Sequence, residues 1–116
     1  MGETKKTKRM TTDRALLVGV DIFQEEKLLS LDYSLAELRR LADTAGFEVV
    51  GQITQKLTRP NPKTFIGSGK TQEVKTLAEE LDVDVILFDD ELSPRHQREL
   101  EEIIGEDIRL LDRTAL

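Results

Sequence analysis

The segment Gly67-Ser68-Gly69-Lys70-Thr71 is where residue types and spacing come nearest to phosphate chemistry. Glycines ahead of a helix leave backbone N–H groups free to approach an anion, and a following lysine and hydroxyl can complete the cradle. The spacing of a full nucleoside-triphosphate loop is nevertheless incomplete. Such a loop needs a glycine five positions before Gly69, and Thr64 stands there. Pro62 and Lys63 occupy the place of the buried strand that should feed it, and no Asp-x-x-Gly or Asn-Lys-x-Asp element follows to hold magnesium or read guanine. Two readings stay open at this level: a simple anion site at a helix start, or a tight structural turn.

Asp89-Asp90-Glu91 groups three carboxylates just after an apolar run, where open parallel sheets place ligand sites. Three carboxylates suit Mg²⁺ or acid–base work. Neighbouring side chains point in different directions, however, and no histidine, cysteine or lysine is placed in sequence to complete a catalytic set. The run therefore reads as a solvated loop ahead of a helix that Ser93 caps and Pro94 opens. His96, the single histidine, falls in the first turn of that helix beside Arg95 and Arg98, as a partly exposed surface residue. With no cysteine and one histidine, thiolate metal sites, histidine clusters and disulfides are excluded. No catalytic residue and no metal site are expected of this chain.

The charge is segregated along the sequence. Residues 49–72 contain no Asp or Glu but hold Lys56, Arg59, Lys63 and Lys70, whereas residues 79–112 carry thirteen acidic side chains against three basic ones. The net charge of −6 argues against indiscriminate nucleic-acid binding, while the acid-free stretch offers a local basic loop. Arg59, Lys63 and Lys70 flank the proline-stiffened turn Arg59-Pro60-Asn61-Pro62 and the Gly67–Gly69 pair. Arg59, Lys63, Gly67, Ser68, Gly69, Lys70 and Thr71 are accordingly the candidate anion- or nucleic-acid-binding set.

The elements that must position these residues are legible from apolar spacing. Arg14–Asp21 contains a continuous apolar run suited to a strand covered on both faces. Residues 32–45 carry Leu35, Leu38, Leu41, Ala42 and Ala45 at helical spacing, with Ser34 and Glu37 as a capping box and Gly46 as the stop. Phe47–Lys56 reads as a second strand, and Thr64-Phe65-Ile66 as a short extended piece with Phe65 in the core. The Gly67-Ser68-Gly69 turn then leads into a helix with Val74, Leu77, Ala78 and Leu81 on its apolar side. Asp84–Phe88 is a buried strand, a third helix runs from Ser93 to Gly105, and Ile108–Leu111 is a final strand. This alternation predicts an α/β domain: a mostly parallel sheet with helices on its faces, three-layered and Rossmann-like.

At 116 residues the chain suits one domain with one modest core. The basic N-terminal residues 1–13 read as a disordered tail, and residues 14–116 as the folded domain. No apolar run approaches the ~20 residues of a membrane span, and no signal-peptide stretch follows the basic start. A cytoplasmic location without a membrane span is the expectation.

Three segments carry a resemblance. Pro62–Lys70, then Phe88–Pro94 with Gln97-Arg98 and Leu100-Glu101, then Leu111–Leu116 resemble, in order and spacing, the N-terminal domain of HflX-type GTPases. Glu99 departs from that pattern, standing where the family more often carries asparagine. The resemblance implies a factor that binds the large ribosomal subunit and its RNA and that splits or rescues stalled ribosomes. It implies GTP and Mg²⁺ in a downstream GTPase domain, which this domain contacts, and no cofactor here. The contrasting expectation is a small-molecule or nucleotide-binding α/β domain that uses Gly67–Thr71.

Overall fold

The computed structural model describes residues 13–22 and 30–116. The tail expected at the N-terminus lies outside the described residues, except for Asp13. The element order is β1 (Arg14–Ile22), α1 (Leu31–Thr44), β2 (Glu48–Leu57), α2 (Ser68–Glu80), β3 (Val85–Phe88), α3 (Pro94–Ile104), β4 (Arg109–Asp112) and a terminal 3₁₀ turn (Arg113–Ala115). The four strands pair in the order β2-β1-β3-β4, all parallel. The sequence-based reading of an α/β domain with a parallel sheet holds.

β1 and β3 form the middle of the sheet, and their side chains are buried on both faces because helices cover both. On one face Ala15, Leu17, Val85 and Leu87 pack against Leu35, Leu38 and Ala42 of α1. On the other, Leu16, Val18, Val20, Ile86 and Phe88 meet Val74 and Ala78 of α2 with Leu100 and Ile104 of α3. The result is three layers, with α1 opposite α2 and α3. Successive residues of one strand thus belong to two different cores, which explains the unbroken apolar runs. Gly19 lets α1 come close, since a Cβ there would stand 3.0 Å from Leu31 Cδ1 and Leu35 Cδ2.

Helix ends show where local signals succeed and fail. Gly46 adopts φ +96°, and the Phe47 N–H donates to Ala42 O at 2.9 Å, closing α1 as glycine-stopped helices do. α2 closes in the same way, Val83 N–H donating to Ala78 O at 3.0 Å, but a non-glycine residue, Asp82 at φ 55°, takes the left-handed position. The Ser34–Glu37 capping box is not formed. Ser30 caps α1 instead, its hydroxyl accepting from Tyr33 N at 3.2 Å, which leaves Ser34 inside the first turn and free for another partner. The extended reading of residues 64–66 also fails, because Phe65 has φ 69°. Ser68 and Gly69 already belong to α2, so only Gly67 lies ahead of that helix.

Candidate nucleic-acid interface

All strands being parallel, the N-termini of all three helices point to the carboxyl end of the sheet. The connection from β2 to α2 lies there and contains the middle of the acid-free stretch, with Arg59 and Lys63. It is held by its own polar groups. Asn61 Oδ1 accepts from Lys63 N (2.9 Å) and Thr64 N (3.1 Å), while the Asn61 and Phe65 backbones exchange two hydrogen bonds of 2.9 Å each. These bonds close a small ring with Pro62 and Lys63 at its tip. The left-handed turn at Phe65 drives its ring into the core, 7% exposed, where it meets the His96 ring edge-on at 5.5 Å. Thr64 and Ile66 are buried beside it, and the Thr64 hydroxyl donates to Ile66 O at 2.6 Å.

Arg59 and Lys63 are exposed, and neither meets a carboxylate among the described residues. The start of α2 follows. Its N-cap is Gly67, which has no side chain to cap with, whereas α1 and α3 are capped by Ser30 and Ser93. The first turn, with exposed Ser68 and Gly69 and with Lys70, therefore has no capping side chain to accept from its N–H groups.

The rest of the candidate set is committed internally. Lys70 Nζ pairs with Glu73 Oε1 at 2.6 Å on the helix surface. Thr71 is fully buried, and its hydroxyl donates to Gly67 O at 2.9 Å. The Gly67 N–H donates to Gln55 Oε1 at 3.2 Å. The resemblance to a phosphate loop is thus confined to composition: the lysine and the hydroxyl that would reach a triphosphate face other partners.

The acidic run behaves differently from the solvated loop read in the sequence. The Asp89 side chain is 7% exposed and ion-paired with Arg113, and its Oδ2 accepts from the Ser34 hydroxyl at 2.6 Å. Sequence reasoning missed this triad because its members are 55 and 24 residues from Asp89, and no local pattern joins them. Nearby, burial acts to raise the pKa of Asp112. Hydrogen bonds from the Thr114 hydroxyl and from the Leu92, Thr114 and Ala115 backbones outweigh that effect and hold it below the ordinary carboxylate value. His96 is partly exposed, as the sequence suggested, but its Nδ1 is buried and has no hydrogen-bond partner among the described residues. No group of three or more metal-ligating side chains occurs among the described residues, and no helix there is long and apolar enough to cross a membrane.

Residues 32–116 match the family described as GTP-binding GTPase N-terminal. The chain is 42% identical over 104 residues to the GTPase HflX of Flavobacterium psychrophilum, covering 90% of this chain and 24% of that relative. It is 34% identical over 104 residues to the GTPase HflX of Escherichia coli, covering 90% and 23%. The chain therefore spans about a quarter of the length of these relatives. Among solved structures, it is similar to a complex of SsGBP with GDP, with a TM-score of 0.58 at 22% identity, covering 87% of this chain and 26% of that one. A GTP-binding protein of Sulfolobus solfataricus in complex with GDP superposes with a TM-score of 0.52 at 21% identity, covering 87% and 27%. These two likenesses are of fold.

Proposed function

The chain belongs to the HflX GTPase family, as its N-terminal domain, and from that premise we propose that it is a non-enzymatic module that holds ribosomal RNA of the large subunit by its phosphates. In this reading it acts in the cytoplasm and carries a downstream GTPase domain. GTP and Mg²⁺ are used there, and the whole protein splits or rescues stalled ribosomes. The observation that carries the proposal is the self-closed loop of residues 61–65 with Lys63 at its tip, which lies along the chain between exposed Arg59 and an α2 start with no capping side chain. A loop whose shape is already set loses little entropy on binding. Cations and helix-start N–H groups recognise phosphate without reading base identity. The stretch has few groups for stacking, since Phe65 is in the core.

Nucleotide binding through Gly67–Thr71 has weaker support, because Lys70, Thr71 and the Gly67 N–H are occupied by Glu73, Gly67 O and Gln55. The test is binding of the chain to purified large subunits across a salt series. Arg59→Glu with Lys63→Glu should weaken association and reduce the slope of log affinity against log salt by about 1.5–2, as expected for two lost phosphate contacts. Unchanged binding at every salt concentration would place the ribosome contact elsewhere. Saturable, micromolar GTP binding by this chain would instead favour the nucleotide reading.

A further inference from the structure

A second device lies at the carboxyl end of the sheet, made of residues that the RNA-binding proposal does not use. The chain leaves β1 towards β2 on one side and β3 towards β4 on the other, and in open parallel sheets such a divergence opens a crevice that takes ligands. Here the chain itself supplies the occupant. Arg113 Nη2 donates to Ser34 O (2.8 Å), to Ser34 Oγ (3.1 Å) and to Asp89 Oδ1, while Nε donates to Asp89 O at 3.4 Å. The Asp89 N–H in turn donates to Val18 O at 2.9 Å, tying the pair to the central strand. One residue earlier, Asp112 Oδ2 accepts from Leu92 N at 2.8 Å, and its Oδ1 accepts from Thr114 N (3.1 Å) and Thr114 Oγ1 (2.6 Å).

We propose that Asp112-Arg113-Thr114 is a clasp that fills the ligand crevice of the sheet with the chain's own guanidinium and fixes the direction in which the polypeptide leaves the domain. Three consecutive residues grip the first turn of α1, the β3–α3 loop and their own turn. Each bond therefore lowers the cost of the next. A guanidinium suits this place where an ammonium would not, because its planar fork reaches a carboxylate, a hydroxyl and two carbonyls together. The carboxylate it meets is almost fully buried, so the ion pair is little screened and neither partner can leave alone without stranding the other. In a longer chain, a segment following Leu116 would then turn with the sheet instead of swinging from it. The inference is independent of the RNA-binding proposal.

The experiment is nuclear magnetic resonance on the 116-residue chain with labelled arginine, combined with amide hydrogen exchange. In the parent, Arg113 should give a protected Nε–H with hindered rotation of its guanidinium, and the Leu92 and Thr114 amides should be protected. In Asp89→Asn the guanidinium signature should collapse, and both amides should lose protection while the amides of α2 keep theirs. Protection of Leu92 and Thr114 retained in Asp89→Asn would overturn the clasp and reduce Arg113 to a local ion pair. A freely rotating Arg113 in the parent would also overturn it. If Asp89→Asn does not fold, Asp89→Asn with Arg113→Gln removes both charges. Loss of Leu92 and Thr114 protection in that pair supports the clasp, and retention overturns it.

Discussion

Two loops at the same end of the sheet use charge in opposite ways. The β2–α2 connection satisfies its backbone through Asn61 and turns its cations outward, so Arg59 and Lys63 meet no carboxylate among the described residues. The β3–α3 connection with the residues after β4 turns charge inward, where Arg113 is spent on Asp89 and Ser34. Both are held by hydrogen bonds, but of different kinds: the first by short-range bonds within residues 61–65, the second by side chains that are distant in sequence. The number of basic residues in a stretch is therefore a poor guide to the charge it offers a partner. Lys70 and Arg113 count towards the basic total and are both neutralised by a neighbour.

The largest expected effect breaks the inward loop. Asp89→Asn leaves a mostly buried guanidinium without its counter-charge and should cost about 2–3 kcal/mol of stability, measured by urea unfolding. A smaller loss, about 1–2 kcal/mol, is expected of Asn61→Ala, which removes the acceptor of two backbone N–H groups. That variant sharpens the comparison, because it disorders the outward loop while retaining every cation. Large-subunit affinity should fall, but its salt slope should stay near that of the parent. An affinity unchanged by Asn61→Ala would show that charge alone suffices and that loop shape does not matter.

The smallest effect concerns pH. Because the Asp112 pKa is lowered in the folded state, its contribution to stability is present above the unfolded value of 3.8 and is lost as pH falls through the folded value. The acid limb of the stability curve should be shallower in Asp112→Asn than in the parent, with the two curves converging in slope towards neutral pH. An identical acid limb would mean that the carboxylate is equally well satisfied in the unfolded chain.

The elements were largely legible because their signals are local. The apolar run Ala15–Val20, Ser93 with Pro94, and the glycines 46 and 105 each mark their element within a few residues. Local signals misled where two residues could serve one role. Ser30 and Ser34 could both cap α1, and packing decided for Ser30 because Ser34 is drawn to Asp89. The left-handed positions at Phe65 and Asp82 were not legible either, since Phe rarely takes that backbone and Asp, though commoner there, is far more often found outside it.

By itself, the sequence determined the class of fold, the order of its elements, the acid-free stretch and the likeness to HflX-type N-terminal domains. Each of these depends on composition and spacing along the chain, which folding does not alter. Only the tertiary structure decided which charges remain available. It buried Thr71 and gave Lys70 a partner one helical turn away, left Arg59 and Lys63 exposed, and brought Asp89 and Arg113 together beside Ser34. The physical reason is that a charge is worth what its surroundings leave of it, and those surroundings are assembled from residues up to 96 positions apart.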